Sequence, residues 1–217
     1  MNFPPRTFIS LLAVTSASVL LVGCGSTSVV SLDYQPTGQT ITGPRKIAAG
    51  RFIDHRRVGS YYLGSVKTPI GTTMEEITTR IPVEQVVRNA FAHGLSSRNM
   101  LTSQNSAEYI MTGEILDFST DSLVRKGAYA RIRVNLVREG SGQVVFSRVY
   151  EAERSGGGGL PGGGTVDALR ELASRALQNT VDRALDDPSL RARLDGSSGI
   201  DRNRRIRNRS AYGPDVL

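Results

Sequence analysis

Three residue types are scarce in this 217-residue chain: it has one cysteine, two histidines and no tryptophan. A single cysteine excludes a disulfide framework and a paired CxxC zinc site. Two histidines, His55 and His93, leave little that titrates near neutral pH, so general acid–base chemistry has few groups to draw on. No HExxH is present either, and neither a metal nor another cofactor is expected. Lysine is rare as well, with 24 Arg against 3 Lys. What remains is ordinary: 39% apolar and 22% charged residues exclude global disorder, and the length suits one domain with appendages.

The amino end holds the one long apolar run. Fifteen uncharged residues, Phe8 to Val22, follow Arg6 and lead to Gly23-Cys24. As a helix the run would rise about 22 Å, short of the roughly 30 Å of a bilayer's hydrocarbon core, so residues 1–23 read as a removable signal peptide. The alternative is a retained anchor with Cys24 as a buried small apolar side chain. Leu21-Val22-Gly23-Cys24 resembles the bacterial lipobox. That resemblance implies recognition of Leu21, Val22 and Gly23 by the lipoprotein signal peptidase, cleavage before Cys24, a diacylglycerol thioether on its sulfur and an acyl chain of the palmitate kind on the new amine. Membrane lipid is then the first partner. Gly25 stands where the family's inner-membrane retention signal has Asp, which implies the periplasmic face of the outer membrane.

Residues 24–28, CGSTS, read as a lipidated tether, and 29–194 as a single domain. Val29 to Leu32 and Lys46 to Ile53 are predicted strands, while residues 59–79 show no usable period and read as a long loop that leaves room for a short extended piece. Val83, Val86, Val87, Ala90 and Phe91 fall on one helical face, with Pro82 in the first turn and Gly94 at the predicted stop. Strands follow at Glu108–Phe118, Ala128–Val137 and Gln143–Ala152, the last two joined by Glu139-Gly140-Ser141-Gly142. Strict alternation in Ala128–Val137 describes a sheet covered on one face only. A second amphipathic helix runs from behind Thr165, as N-cap, to before Pro188. The predicted fold is α+β: a two-layer sandwich with a mostly antiparallel sheet and two helices on one face, in the order β-β-α-β-β-β-α. Residues 195–217 read as a disordered tail, in which five Arg and two Asp give 196–217 a net charge of +3.

Few constellations carry chemistry, and no catalytic residue is predicted. Asp54-His55-Arg56 lies just past a strand end, where a hydrolytic site would be placed, although a charge-paired surface loop explains it as well. His93 falls near a helix end, where a cation complements the dipole. The glycine run 156–164 lacks the Gly-Lys-Ser/Thr ending and the ordered spacing of a phosphate loop. Arg202, Arg204, Arg205, Arg207 and Arg209 form the densest charge cluster. Export argues against nucleic acid, leaving an anionic envelope surface or bulk solvent as their surroundings. Tyr129, Arg131 and Arg133 line the predicted open face of the sheet.

Phe52-Ile53-Asp54-His55-Arg56, the helix from Val83, the strand Ala107 to Ile115, the hairpin and the closing helix Val166–Asp187 together resemble the YajG-type bacterial lipoproteins over residues 24–194. The resemblance implies an envelope lipoprotein with a small α+β domain; the strong anchor beside so thin a catalytic inventory leads to the expectation of a non-enzymatic role, with an envelope protein as partner. It brings no catalytic residues. A similar layout occurs in auxiliary lipoproteins of ABC-type lipid-transport systems and in lipoprotein activators of cell-wall synthases.

Overall fold

The computed structural model describes residues 26–36, 42–122, 126–156 and 165–195. Cys24 and the segment before it, the glycine run at 157–164 and the arginine tail lie outside these residues. Seven strands form one sheet: β1 (Ser26–Val30), β2 (Ile47–Asp54), β3 (Tyr62–Lys67), β4 (Thr73–Thr79), β5 (Tyr109–Asp121), β6 (Gly127–Arg138) and β7 (Val144–Ser155). Helix α1 (Val83–Ser97) follows β4 and α2 (Thr165–Leu185) follows β7. A short third helix, α3, covers residues 188–195.

The sheet runs β1-β4-β3-β5-β6-β7, with β2 also paired to β5. Its long ladders, β5 with β6 and β6 with β7, are antiparallel. The alternating apolar residues of β6, Ala128 to Leu136, are all buried, and the helices cover that face. Phe91 of α1 stacks on Phe52 of β2, ring centroids 4.9 Å apart. On α2, Leu169, Ala173, Ala176, Leu177, Val181, Ala184 and Leu185 are buried, as the 3.6-residue period requires. This is the expected α+β two-layer arrangement, open on the opposite face.

Four boundaries differ from the sequence pattern. Residues 59–79 are not a loop: they hold β3 and β4, antiparallel to each other. Period-2 alternation fails there because β3, wedged between β4 and β5, buries Leu63, Gly64 and Ser65 in succession. Gly64 is required at that point, since a Cβ would collide with the backbone of Thr120. In β4, TMEEITT, the polar residues hide the period.

At the amino end, β1 starts at Ser26, so Ser26–Ser28 belong to the sheet and the tether is shorter than residues 24–28. Their polar side chains suit an edge strand, and β1 lies parallel to β4 with Ser26 opposite Glu75. Helix α1 runs past Gly94 to Ser97. Gly94 is buried in mid-helix because a Cβ would come within 2.7 Å of Leu185 and 2.8 Å of Val181 on α2. The stop falls instead to Asn99 at φ +56, where Asn99 N–H donates to Ser96 O and Met100 N–H to Leu95 O. Finally, Thr165 is the first helical residue of α2 rather than a residue ahead of it.

Candidate functional site

Asp54-His55-Arg56 sits where one edge of β5 changes partner. Strand β2 pairs with Tyr109–Ile115, whereas β3 joins β5 only at Thr120 and Asp121. Backbone carbonyls in the gap need donors, and Arg56 supplies them: its Nη1 donates to Phe118 O at 2.7 Å and to Tyr62 O at 2.8 Å. Asp54 grips the other side of the guanidinium through bonds of 2.9 and 2.7 Å, and the Arg56 side chain is 5% exposed. The carboxylate therefore serves Arg56, while His55 is exposed and uses its backbone N–H on Ile115 O. This geometry is a clamp across a break in the sheet, with no nucleophile or water-activating pair.

His93 is exposed on α1, one turn before the helix ends. It borders a cleft of about 210 Å³ between α1 and the segment after β1, lined by Val30, Leu32, Tyr34, Ile81 and Val86 among others. That volume falls below the roughly 300–1,000 Å³ of common ligand pockets.

Beneath the cleft lies a charged cluster that sequence reasoning missed. Arg98 at the end of α1 is 1% exposed and donates to Asp186 at 2.9 and 2.7 Å, to Asp182 at 3.0 Å and to the Tyr34 hydroxyl at 3.0 Å. Tyr34 in turn donates to Asp182 at 2.5 Å. Burial and that bond to a carboxylate push the Tyr34 phenol up to about 12. Burial pushes the Asp186 carboxyl up, but Arg98 and Arg191 outweigh it and hold it below the ordinary carboxylate range. The cluster fastens the segment after β1 to both long helices. Its sequence signal was a charge on an apolar stripe, because Arg98 continues the Val87, Phe91, Gly94 series of α1.

A second cluster centres on Asp187. Its carboxylate accepts from Tyr150 Oη at 2.6 Å and Arg148 at 2.5 Å, and caps α3 through the N–H groups of Ser189 and Leu190. Burial again raises this carboxyl, yet the hydrogen bonds from Tyr150, Ser189 and Arg148 bring it below its ordinary value.

The open face of the sheet carries the predicted Tyr129, Arg131 and Arg133, each with a local partner. Tyr129 donates to Glu151 at 2.8 Å, Arg131 lies 3.9 Å from the same carboxylate, and Arg133 reaches Glu114 at 2.6 Å. It is a charge-balanced, solvated surface. Leu21, Val22, Gly23 and Cys24, and Arg202, Arg204, Arg205, Arg207 and Arg209, all lie outside the described residues. Among the described residues, no three His, Cys, Asp or Glu side chains are placed to share a metal ion, and no helix is long and apolar enough to cross a membrane.

No protein-family model and no curated protein matches the sequence. Solved structures are similar to it to differing degrees. A Xanthomonas campestris protein of the DUF330 family model superposes with a TM-score of 0.57 at 12% identity, over 78% of this chain and 99% of that one. The minor lipoprotein of Acinetobacter baumannii gives a TM-score of 0.34 at 8% identity, over 65% and 92% of the two chains. PelC of Paraburkholderia phytofirmans, a dodecamer, gives 0.37 at 13% identity over 67% and 92%. The Xanthomonas protein establishes the common fold.

Proposed function

We propose that the chain is a bacterial envelope lipoprotein of the YajG-like kind, held by acylated Cys24 on the periplasmic face of the outer membrane, where it binds or scaffolds another envelope component without catalysis. The observation that carries this reading is the Leu21-Val22-Gly23-Cys24 sequence at the end of a short apolar run. A thioether-linked diacylglycerol and an amide-linked acyl chain hold a soluble domain stably on a bilayer, since each buried methylene contributes about 0.8 kcal/mol. The fold supports the same reading mechanically. A pull on Cys24 enters β1, which is bonded along β4 and then fastened through Tyr34 to α1 and α2.

The test is crosslinking in cells followed by mild detergent extraction and mass spectrometry, with Cys24→Ser as the control. The reading predicts a membrane-bound acylated protein with an envelope partner recovered only in the acylated form. Membrane retention and normal processing of Cys24→Ser would contradict the anchor. Recovery of a lipid transporter or of a cell-wall synthase would define the chain as that system's accessory subunit.

A further inference from the structure

We propose that the β3–β4 hairpin tip is a second membrane contact, in which Ile70 and Met74 enter the lipid interface beside the acylated cysteine and fix how the domain stands on the bilayer. This rests on the anchoring reading above.

Strand β1 is parallel to β4, so the chain enters the fold at the end where β4 begins, next to the turn that joins β3 to β4. Ser26 lies opposite Glu75, and its Oγ donates to Met74 O at 3.4 Å. Two peptide links of about 3.8 Å each join Cys24 to Ser26, so an acyl chain on Cys24 begins within roughly 8 Å of the sheet. From Glu75 to the tip, strand rise and turn extend about 10 Å beyond Ser26. Ser26, two residues after Cys24, therefore lies at the same end of the sheet as the tip.

The tip is built to enter an interface. Ile70 is 88% exposed and Met74 56% exposed, while Pro69 adds a residue without an N–H. The turn is closed internally: Thr68 N–H donates to Thr72 O at 2.8 Å, Gly71 N–H to Thr68 O at 2.9 Å and Thr72 N–H to Thr68 Oγ1 at 3.0 Å. Gly71 takes φ +87, a conformation that glycine adopts without strain. These bonds occupy the N–H groups of Thr68, Gly71 and Thr72, while the Ile70 N–H and the tip carbonyls stay at the hydrated headgroup level as the two side chains enter the interface. Lys67, at the base of the hairpin, suits this placement, since a lysine side chain buries its stem along apolar surface while its ammonium reaches headgroups. Of the neighbouring carboxylates, Glu75 accepts from Ser28 Oγ, and Glu76 stands further down the strand, opposite Ser65.

Methionine oxidation reads this contact in the unsubstituted chain. Met100 and Met111 are fully buried and serve as internal controls, while Met74 is open to oxidant. The full acylated protein, in vesicles of phosphatidylethanolamine and phosphatidylglycerol, and the soluble Cys24→Ser form are exposed to dilute hydrogen peroxide, and sulfoxide at Met74 is followed by peptide mass spectrometry. Oxidation of Met74 should be several-fold slower in the vesicle-bound form and stay slow at high salt, because the contact is apolar. As a second reading, Ile70→Trp places the chain's one tryptophan at the tip; its emission should move to shorter wavelength on vesicles, while that of Gly140→Trp, in the β6–β7 turn where nothing lies within 4 Å, should not. Equal Met74 oxidation rates with an unmoved Ile70→Trp emission, in protein shown to carry acyl chains and to float with vesicles, would overturn the hairpin contact and leave the anchor standing. Absence of acyl chains on Cys24 would overturn both.

Discussion

The two sides of the sheet are held together by different means. Strands β5, β6 and β7 with α1 and α2 form a body in which long antiparallel ladders and two amphipathic helices close over a continuous apolar layer. Strands β1, β4 and β3 form a flank with few fully enclosed apolar side chains, Leu63 and Ile77 among them. Specific polar contacts tie that flank down: Arg56 bridges the gap beside β5, Thr79 bonds Tyr61 O and Ile81 O, and Tyr34 enters the Arg98 cluster. Apolar area is tolerant of detail and hydrogen-bond clamps are not. The body should therefore respond to lost volume, and the flank to lost donors.

Phe91→Ala should have the largest effect. It removes a fully buried ring stacked on Phe52, and large-to-small changes of this type cost about 3–5 kcal/mol in chemical denaturation. Next comes Arg98→Met, which keeps most of the volume but takes the buried guanidinium away from Asp182, Asp186 and the Tyr34 hydroxyl, leaving Asp182 with Tyr34 and Asp186 with Arg191. A loss of about 3 kcal/mol is expected, at the low end for broken buried pairs because Asp186 reaches water.

Arg56→Ala sharpens the comparison further. It leaves Tyr62 O and Phe118 O without their donor, at a cost of about 1–3 kcal/mol. Hydrogen exchange should then show lost protection in β3 and β4 while β6 keeps its own; uniform loss across the sheet would erase the distinction between body and flank. His55→Ala, one residue away and exposed, should shift stability by less than about 0.5 kcal/mol.

The pH dependence follows from the same clusters. Asp186 and Asp187 are lowered from the ordinary 3.8, so their contribution is present above that value and is lost as pH falls through their folded-state range. Tyr34, raised to about 12, contributes fully below pH 10 and loses its contribution as pH rises toward 12. Denaturation midpoints should therefore form a plateau between these limits, and Arg98→Met should flatten the acid limb.

The same contrast explains what the sequence disclosed. Body elements announce themselves because one face meets apolar side chains and the other meets water, which imposes periods of 3.6 and 2 on α1, α2 and β6. In β3 the period vanishes because Leu63, Gly64 and Ser65 are all covered, and in β4 because TMEEITT offers mainly Ile77 to the core. Gly94 had the look of a helix stop, yet its missing Cβ answers the approach of α2, which no local rule encodes. The candidate residues divide in the same way. Asp54, His55 and Arg56 were legible as a charged group, but their use as a clamp depends on where β2 leaves β5. Arg98, Asp182 and Asp187 draw their roles from partners far away in the chain.

The proposed function turns on acylation of Cys24, two residues ahead of the flank strand β1. Its most direct test is the intact mass of the mature protein purified from bacterial membranes, combined with sequencing of its amino-terminal peptide. The account predicts loss of residues 1–23 and a Cys24 carrying a thioether-linked diacylglycerol and an amide-linked acyl chain. A mature protein with a free Cys24 thiol, or one that keeps residues 1–23, would contradict it.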